Sequence, residues 1–208
     1  MPYDPMPANK ALDGEIGAIT LIDETPEPGL VISRGPEILD SGRAIDPAHL
    51  PSRIQITGGA RAVTDYDGYS NLLYISPRLK SLIEKLEPGK HQFFPVTLVD
   101  KRGNKLADHW TWTVCNRIDS VDRQNTTLIL WKGVYWRPAQ YLSDDELPPG
   151  YDRSTEARTV FNVSQIGGAH FWRDKYLLPG GLYCSDEAAE QIQEAGLTGI
   201  TMIKAETV

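Results

Sequence analysis

Cysteine is nearly absent from this chain: Cys115 and Cys184 are the only two in 208 residues. Two cysteines so far apart build no disulfide framework and lack the paired spacing of a zinc site. No stretch approaches the roughly 18 apolar residues of a membrane span, and the opening Met1-Pro2-Tyr3-Asp4-Pro5 has no apolar signal-peptide core. The expectation is a protein of a reducing cytoplasm. Basic charge is also scarce, with 21 Lys and Arg against 28 Asp and Glu and a net charge of −7. That balance disfavours nucleic-acid binding through a broadly basic surface.

Motifs for phosphate and nucleophile chemistry are missing too. Gly58-Gly59, Gly167-Gly168 and Gly180-Gly181 are doublets without the Lys-Ser/Thr of a P-loop or the spacing of a dinucleotide site, and read as turns. Neither G-x-S-x-G nor H-E-x-x-H occurs. The acidic pairs and runs, Asp65/Asp67 and Asp144-Asp145-Glu146, do not meet the spacing of a calcium loop. No cofactor and no metal is implied.

What the chain does have is an ordinary globular balance, 40% apolar and 24% charged. Its length suits one large domain or two small lobes. The acidity is front-loaded: residues 1–50 hold nine acids and three bases. Up to residue 68 the chain is short apolar runs (Ile16–Ile22, Leu30–Ser33, Arg53–Thr57) cut by turn chemistry such as Asp46-Pro47. This predicts an irregular strand-bearing lobe over residues 1–68, followed by a second domain over 69–208.

The pattern sharpens at Leu72. Leu72–Ile75 reads as a strand. Ser76-Pro77 then opens a helix, the hydroxyl capping a free first-turn N–H and the proline standing where no N–H is needed. Leu79, Leu82, Ile83 and Leu86 form one apolar stripe, and Pro88-Gly89 ends the helix. Gln92–Val99 predicts a strand with Phe94, Val96 and Leu98 on one face, and Pro95 suggests an edge or a bulge. Asp108–Ile118 alternates, with Trp110, Trp112, Val114 and Ile118 on a core face and His109, Thr111, Thr113, Cys115 and Arg117 opposite. Thr126–Trp131 is apolar on both faces and reads as a more central strand. Further short strands are expected near Thr159–Val163, Ala169–Arg173 and Gly199–Ile203, and Ser185 caps a helix whose apolar side is Ala188, Ile192 and Ala195. The fold class is α+β: antiparallel sheets with two or three short helices.

Chemistry finds few handles. His109 and Cys115 share a predicted strand face but stand about 20 Å apart along it. His170 and Cys184 could meet in space, yet no orienting third group is in view. The aromatics offer a stacking platform for a saccharide, although Trp110 and Trp112 lie on a core face. Trp136 and Tyr141, flanked by Arg137 and Pro138, read as surface residues. Beside them Asp144, Asp145 and Glu146 sit in a loop stiffened by Pro148-Pro149.

From Ser76 onward the order of features is that of a known family. Ser76-Pro77-Arg78-Leu79-Lys80 opens a helix that ends Leu86-Glu87-Pro88-Gly89, and His91-Gln92-Phe93-Phe94-Pro95-Val96 follows. A turn at Gly103 leads to Asn116-Arg117-Ile118-Asp119 and Asp122. His170-Phe171-Trp172-Arg173, Tyr183-Cys184-Ser185-Asp186 and Ala195-Gly196-Leu197-Thr198-Gly199-Ile200 close the series. Over roughly residues 70–206 the chain resembles the eleventh immunity family of bacterial polymorphic-toxin systems. The resemblance implies a non-enzymatic protein that binds a cognate protein toxin domain and neutralises it, with no membrane or nucleic-acid partner. The matching positions read as architecture and carry no catalytic residue. Trp136, Tyr141, Asp144, Asp145 and Glu146 are the candidate toxin-binding residues, with the front-loaded Asp23, Glu24 and Glu27 as a further acidic option. A saccharide-binding module, or an enzyme using His170 and Cys184, is the alternative.

Overall fold

The computed structural model describes residues 3–7, 19–22, 42–45, 50–56, 63–69, 72–177 and 181–208. Its strands are β1 Tyr3–Pro7, β2 Ile19–Ile22, β3 Arg53–Ile56, β4 Tyr66–Tyr69, β5 Leu72–Ile75, β6 Gln92–Val99, β7 Lys105–Thr113 and β8 Arg117–Ile118. They continue with β9 Ile129–Trp131, β10 Tyr135–Arg137, β11 Val160–Phe161, β12 Phe171–Asp174, β13 Tyr183–Cys184, β14 Ile200–Lys204 and β15 Glu206–Thr207. The helices are α1 Pro77–Leu86, α2 Val163–Ile166 and α3 Asp186–Glu194. None of the described helices is long and apolar enough to cross a membrane.

A six-stranded mixed sheet runs β2-β3-β6-β7-β5-β4, and a five-stranded one runs β14-β1-β13-β12-β8. The two longer helices, α1 and α3, form where local chemistry starts them. Ser76 Oγ accepts the Leu79 N–H at 3.3 Å, with Pro77 at the first helical position. Ser185 Oγ accepts the Ala188 N–H at 3.1 Å. Leu79 and Ile83 of α1 and Ala188, Ala189 and Ile192 of α3 bury into one core with Leu73, Ile75, Trp112 and Phe171. Each such large apolar side chain contributes about 1.5–3 kcal/mol when taken out of water. The opposite face of the large sheet carries a second core of Leu50, Ile54, Leu72, Tyr74, Val96 and Leu98. β5 is therefore buried on both faces.

The front of the chain is woven into both sheets. β1 lies between β13 and β14, β3 runs parallel to β6, and β4 pairs with β5 across residues 66–75. The division expected after residue 68 falls inside that hairpin. Leu30–Ser33, Asp46-Pro47, Gly58-Gly59 and the acids Asp23, Glu24 and Glu27 lie outside the described residues.

Several expectations change. β6 is not an edge strand, since it pairs with β7 and with β3. The β3 ladder spans only Thr97–Val99, so it never needs a donor from Pro95, and the irregularity falls later, between Leu98 and Val99. The predicted strand to Ile118 stops at Thr113. There Cys115 N–H turns to His91 Nδ1, and Asn116 Nδ2 turns to Glu87 and the Phe171 carbonyl. Ile118 then joins the other sheet, parallel to β12. Trp112 is buried as predicted, while Trp110 is half-buried beneath Lys80, whose Nζ stands 4.7 Å from its ring. Finally, Thr126–Trp131 is not a central strand. Its end, β9, pairs only with β10 among the described residues.

Candidate functional site

β9 and β10 form a hairpin in which Trp131 faces Tyr135, Leu130 faces Trp136, and Ile129 faces Arg137. Alternation puts Leu130 and Trp136 inward, against a third core of Val121, Leu128, Phe161, Trp172 and Tyr183. Trp131, Tyr135 and Arg137 are left on the outer face. Trp136, read from sequence as a surface anchor, is thus a core residue, 7% exposed, with the Arg123 guanidinium 5.8 Å from its ring. The outward tryptophan is Trp131. One residue of parity separates the two, and the core that closes over Leu130 and Trp136 is what tells them apart.

The outer face is a layered set of rings and cations. Trp131 and Tyr135 have ring centroids 5.3 Å apart. Lys132 Nζ stands 4.1 Å from the Trp131 centroid, and the Arg137 guanidinium is 5.5 Å from Trp131 and 5.7 Å from Tyr135. Such contacts attract through the ring quadrupole. Val134, at the turn, is 58% exposed.

The following segment forms two 3-10 turns, Ala139–Tyr141 and Asp144–Glu146. Ala139 and Leu142 are buried and pin it, while Tyr141 stands 62% exposed, as the sequence suggests. Glu146 Oε1 accepts the Trp131 indole N–H at 2.8 Å, and its Oε2 accepts the Ser143 hydroxyl at 2.8 Å. The indole bond first, then those from Ser143, hold the Glu146 carboxyl down to about 2. Asp144 pairs with Arg153 at 2.9 Å, both largely exposed, a contact that adds little to stability. Asp145 is exposed and makes no ion pair among the described residues. The structure therefore brings Glu146 to Trp131 and leaves Tyr141 exposed on the preceding turn, and of the three acids Glu146 is spent on holding Trp131.

The catalytic alternatives find ordinary structural roles. Cys184 is fully buried in β13, with its Sγ 4.0 Å from Met202 Sδ. His170 Nδ1 lies 2.9 Å from Ser185 Oγ, which already serves as the α3 cap. A cleft of about 310 Å³ opens beside them, lined by Val163, Ile166, Trp172, Asp186 and Glu187 among others. Burial pushes the Cys115 thiol up, which keeps it protonated. His109 is buried, its Nε2 at the Thr64 carbonyl. No cluster of three His, Cys, Asp or Glu among the described residues could hold a metal ion.

The motif positions instead hold the layers together. Asp65 accepts from Ser76 Oγ at 2.6 Å and from Thr198 N and Oγ1 at 2.9 Å each. Burial pushes its carboxyl up, but the bonds from Ser76 and Thr198 outweigh that and leave it below the usual range. Gly199, at φ +82°, lies so close to Tyr66 that a Cβ would meet its carbonyl oxygen at 2.2 Å. Asp122, bonded first by Asn162 and then by Asn125, is held down to about 2. Asp174 is buried and accepts from Ser120, Val121, Tyr176 and Leu177.

No curated protein matches the sequence significantly. The model of the Immunity protein family (Imm11) matches residues 22–207, which reaches back well before residue 70, where the resemblance begins. With nearly the whole chain covered, and with the motif residues accounted for as architecture, this protein belongs to that immunity protein family.

Proposed function

We propose that this chain binds and neutralises the toxin domain of a polymorphic-toxin system, in the cytoplasm of the cell it protects, and does so without catalysis. Membership of the immunity family is the observation that carries the reading. The side chains add support: His170, Cys184, Cys115 and His109 are all engaged in packing or capping, and the outer face of the β9–β10 hairpin presents Trp131 and Tyr135 with Arg137. Such a surface suits protein recognition, in which a few aromatic and Arg anchors supply most of the affinity. The saccharide reading has less to stand on, because Lys132 and Arg137 already lie over the rings a sugar would stack upon.

The test is co-expression with a candidate toxin domain encoded by a neighbouring gene, followed by isothermal titration against an inactivated form of it. The expected result is a stoichiometric complex and restored growth. Restored growth without any complex, or a toxin chemically altered by the chain, would overturn the reading.

A further inference from the structure

We infer that the outer face of the β9–β10 hairpin takes an acidic segment of the toxin, with Lys132 and Arg137 as the groups that meet its carboxylates. The inference rests on the toxin-binding reading and names the chemistry of the contact.

The first observation is a mismatch of charge. The chain carries −7 overall, yet neither Lys132 nor Arg137 has a carboxylate within ion-pair distance among the described residues, although seven other pairs form. Glu146 acts on Lys132 only through space, its oxygens being engaged by Trp131 and Ser143. Among the described residues, therefore, neither cation has a carboxylate in contact, and Glu146 reaches Lys132 only from a distance.

The second observation is independent. Lys132 has φ +49°, the only non-glycine residue with a positive φ among the described residues. Left-handed backbone at a hairpin turn ordinarily goes to Gly or Asn, since an L side chain is strained there. Gly133 fills the next left-handed position at φ +71°; a lysine in the other one, where Gly or Asn is the usual choice, points to a use for its ammonium group.

The third is rigidity. Both cations already lie over the rings of Trp131 and Tyr135 before any partner arrives, and Glu146 bonds the Trp131 indole. Groups fixed in advance lose little freedom on binding. With Val134 exposed beside them, the face offers apolar anchors ringed by two charges. A polyanion such as RNA fits less well, because two cations make no stripe along which a phosphate backbone could run.

The experiment measures association of inactivated toxin with the parent, with K132E/R137E and with K132G, across a range of salt. For K132E/R137E we expect at least a tenfold loss of affinity, chiefly in on-rate, and loss of the parent's salt dependence. K132G should melt at or above the parent's temperature, because the strain is relieved, and still bind several-fold more weakly. A residue serving only the fold would not separate these two readouts. If the parent binds toxin and both variants match it in rate and salt dependence, the hairpin inference is overturned and the toxin-binding reading stands. If the parent binds no toxin, both fall. Binding of a single-stranded RNA 20-mer by the parent, lost in K132E/R137E while toxin binding is unchanged, would overturn the acidic segment in favour of a phosphate backbone.

Discussion

His91 Nδ1 accepts the backbone N–H of Cys115 at 3.1 Å, so the proton of this buried ring sits on Nε2 and is donated to Glu87 at 2.6 Å. Glu87, just past the end of α1, also accepts from Asn116 Nδ2 and from the N–H groups of His170 and Phe171. One carboxylate thus ties the helix, the end of β7 and the start of β12 together.

Burial pushes the Glu87 carboxyl up, but the hydrogen bonds from His91, His170 and Phe171 outweigh it and leave it below the usual range. A lowered native pKa gives stability that is present above the ordinary Glu value of about 4.3 and lost as pH falls through the native one. Urea denaturation at a series of pH values should show that loss in the parent, and Glu87→Gln should flatten it. Glu87→Ala should cost several kcal/mol, since it leaves buried donors unsatisfied at about 1–3 kcal/mol each. Unchanged acid sensitivity in the Gln variant would show that other carboxylates govern it.

Trp112 packs edge-on to Phe171 and His91, with centroids at 5.4 and 5.8 Å. Trp112→Ala should lower stability by about 3–5 kcal/mol. Trp110→Ala, which removes a half-buried ring under Lys80, should cost clearly less. Thermal melts of the two variants rank them, and a reversed order would mean that the core closes over Trp110 rather than Trp112 on that face of β7.

The two hairpin tryptophans should behave oppositely. Trp136→Ala should destabilise the fold by about 3–5 kcal/mol through the cavity it leaves. Trp131→Ala should melt near the parent but bind toxin at least about tenfold more weakly, the signature of an interface anchor. Equal effects of both on melting and binding would refute the parity assignment.

His170→Ala and Cys184→Ser, once shown by circular dichroism to fold, should protect cells against the toxin as the parent does. Loss of protection with toxin binding intact would instead point to chemistry at Ser185 and His170.

The sequence by itself determined the elements whose causes are local. Ser76 and Ser185 cap helices within three residues of themselves, and the stripe of α1 is read from its own spacing. The apolar parity of Phe94, Val96 and Leu98 likewise holds. Tertiary structure decided everything that depends on distant partners. Glu87 meets residues 29 to 84 positions away, and Asp65 meets Thr198 at a separation of 133. Nothing local distinguishes Trp131 from Trp136, because strand alternation defines two faces without saying which one the core covers. That choice came from Val121, Phe161, Trp172 and Tyr183 closing over Leu130 and Trp136, which leaves Trp131, Lys132 and Arg137 to face outward.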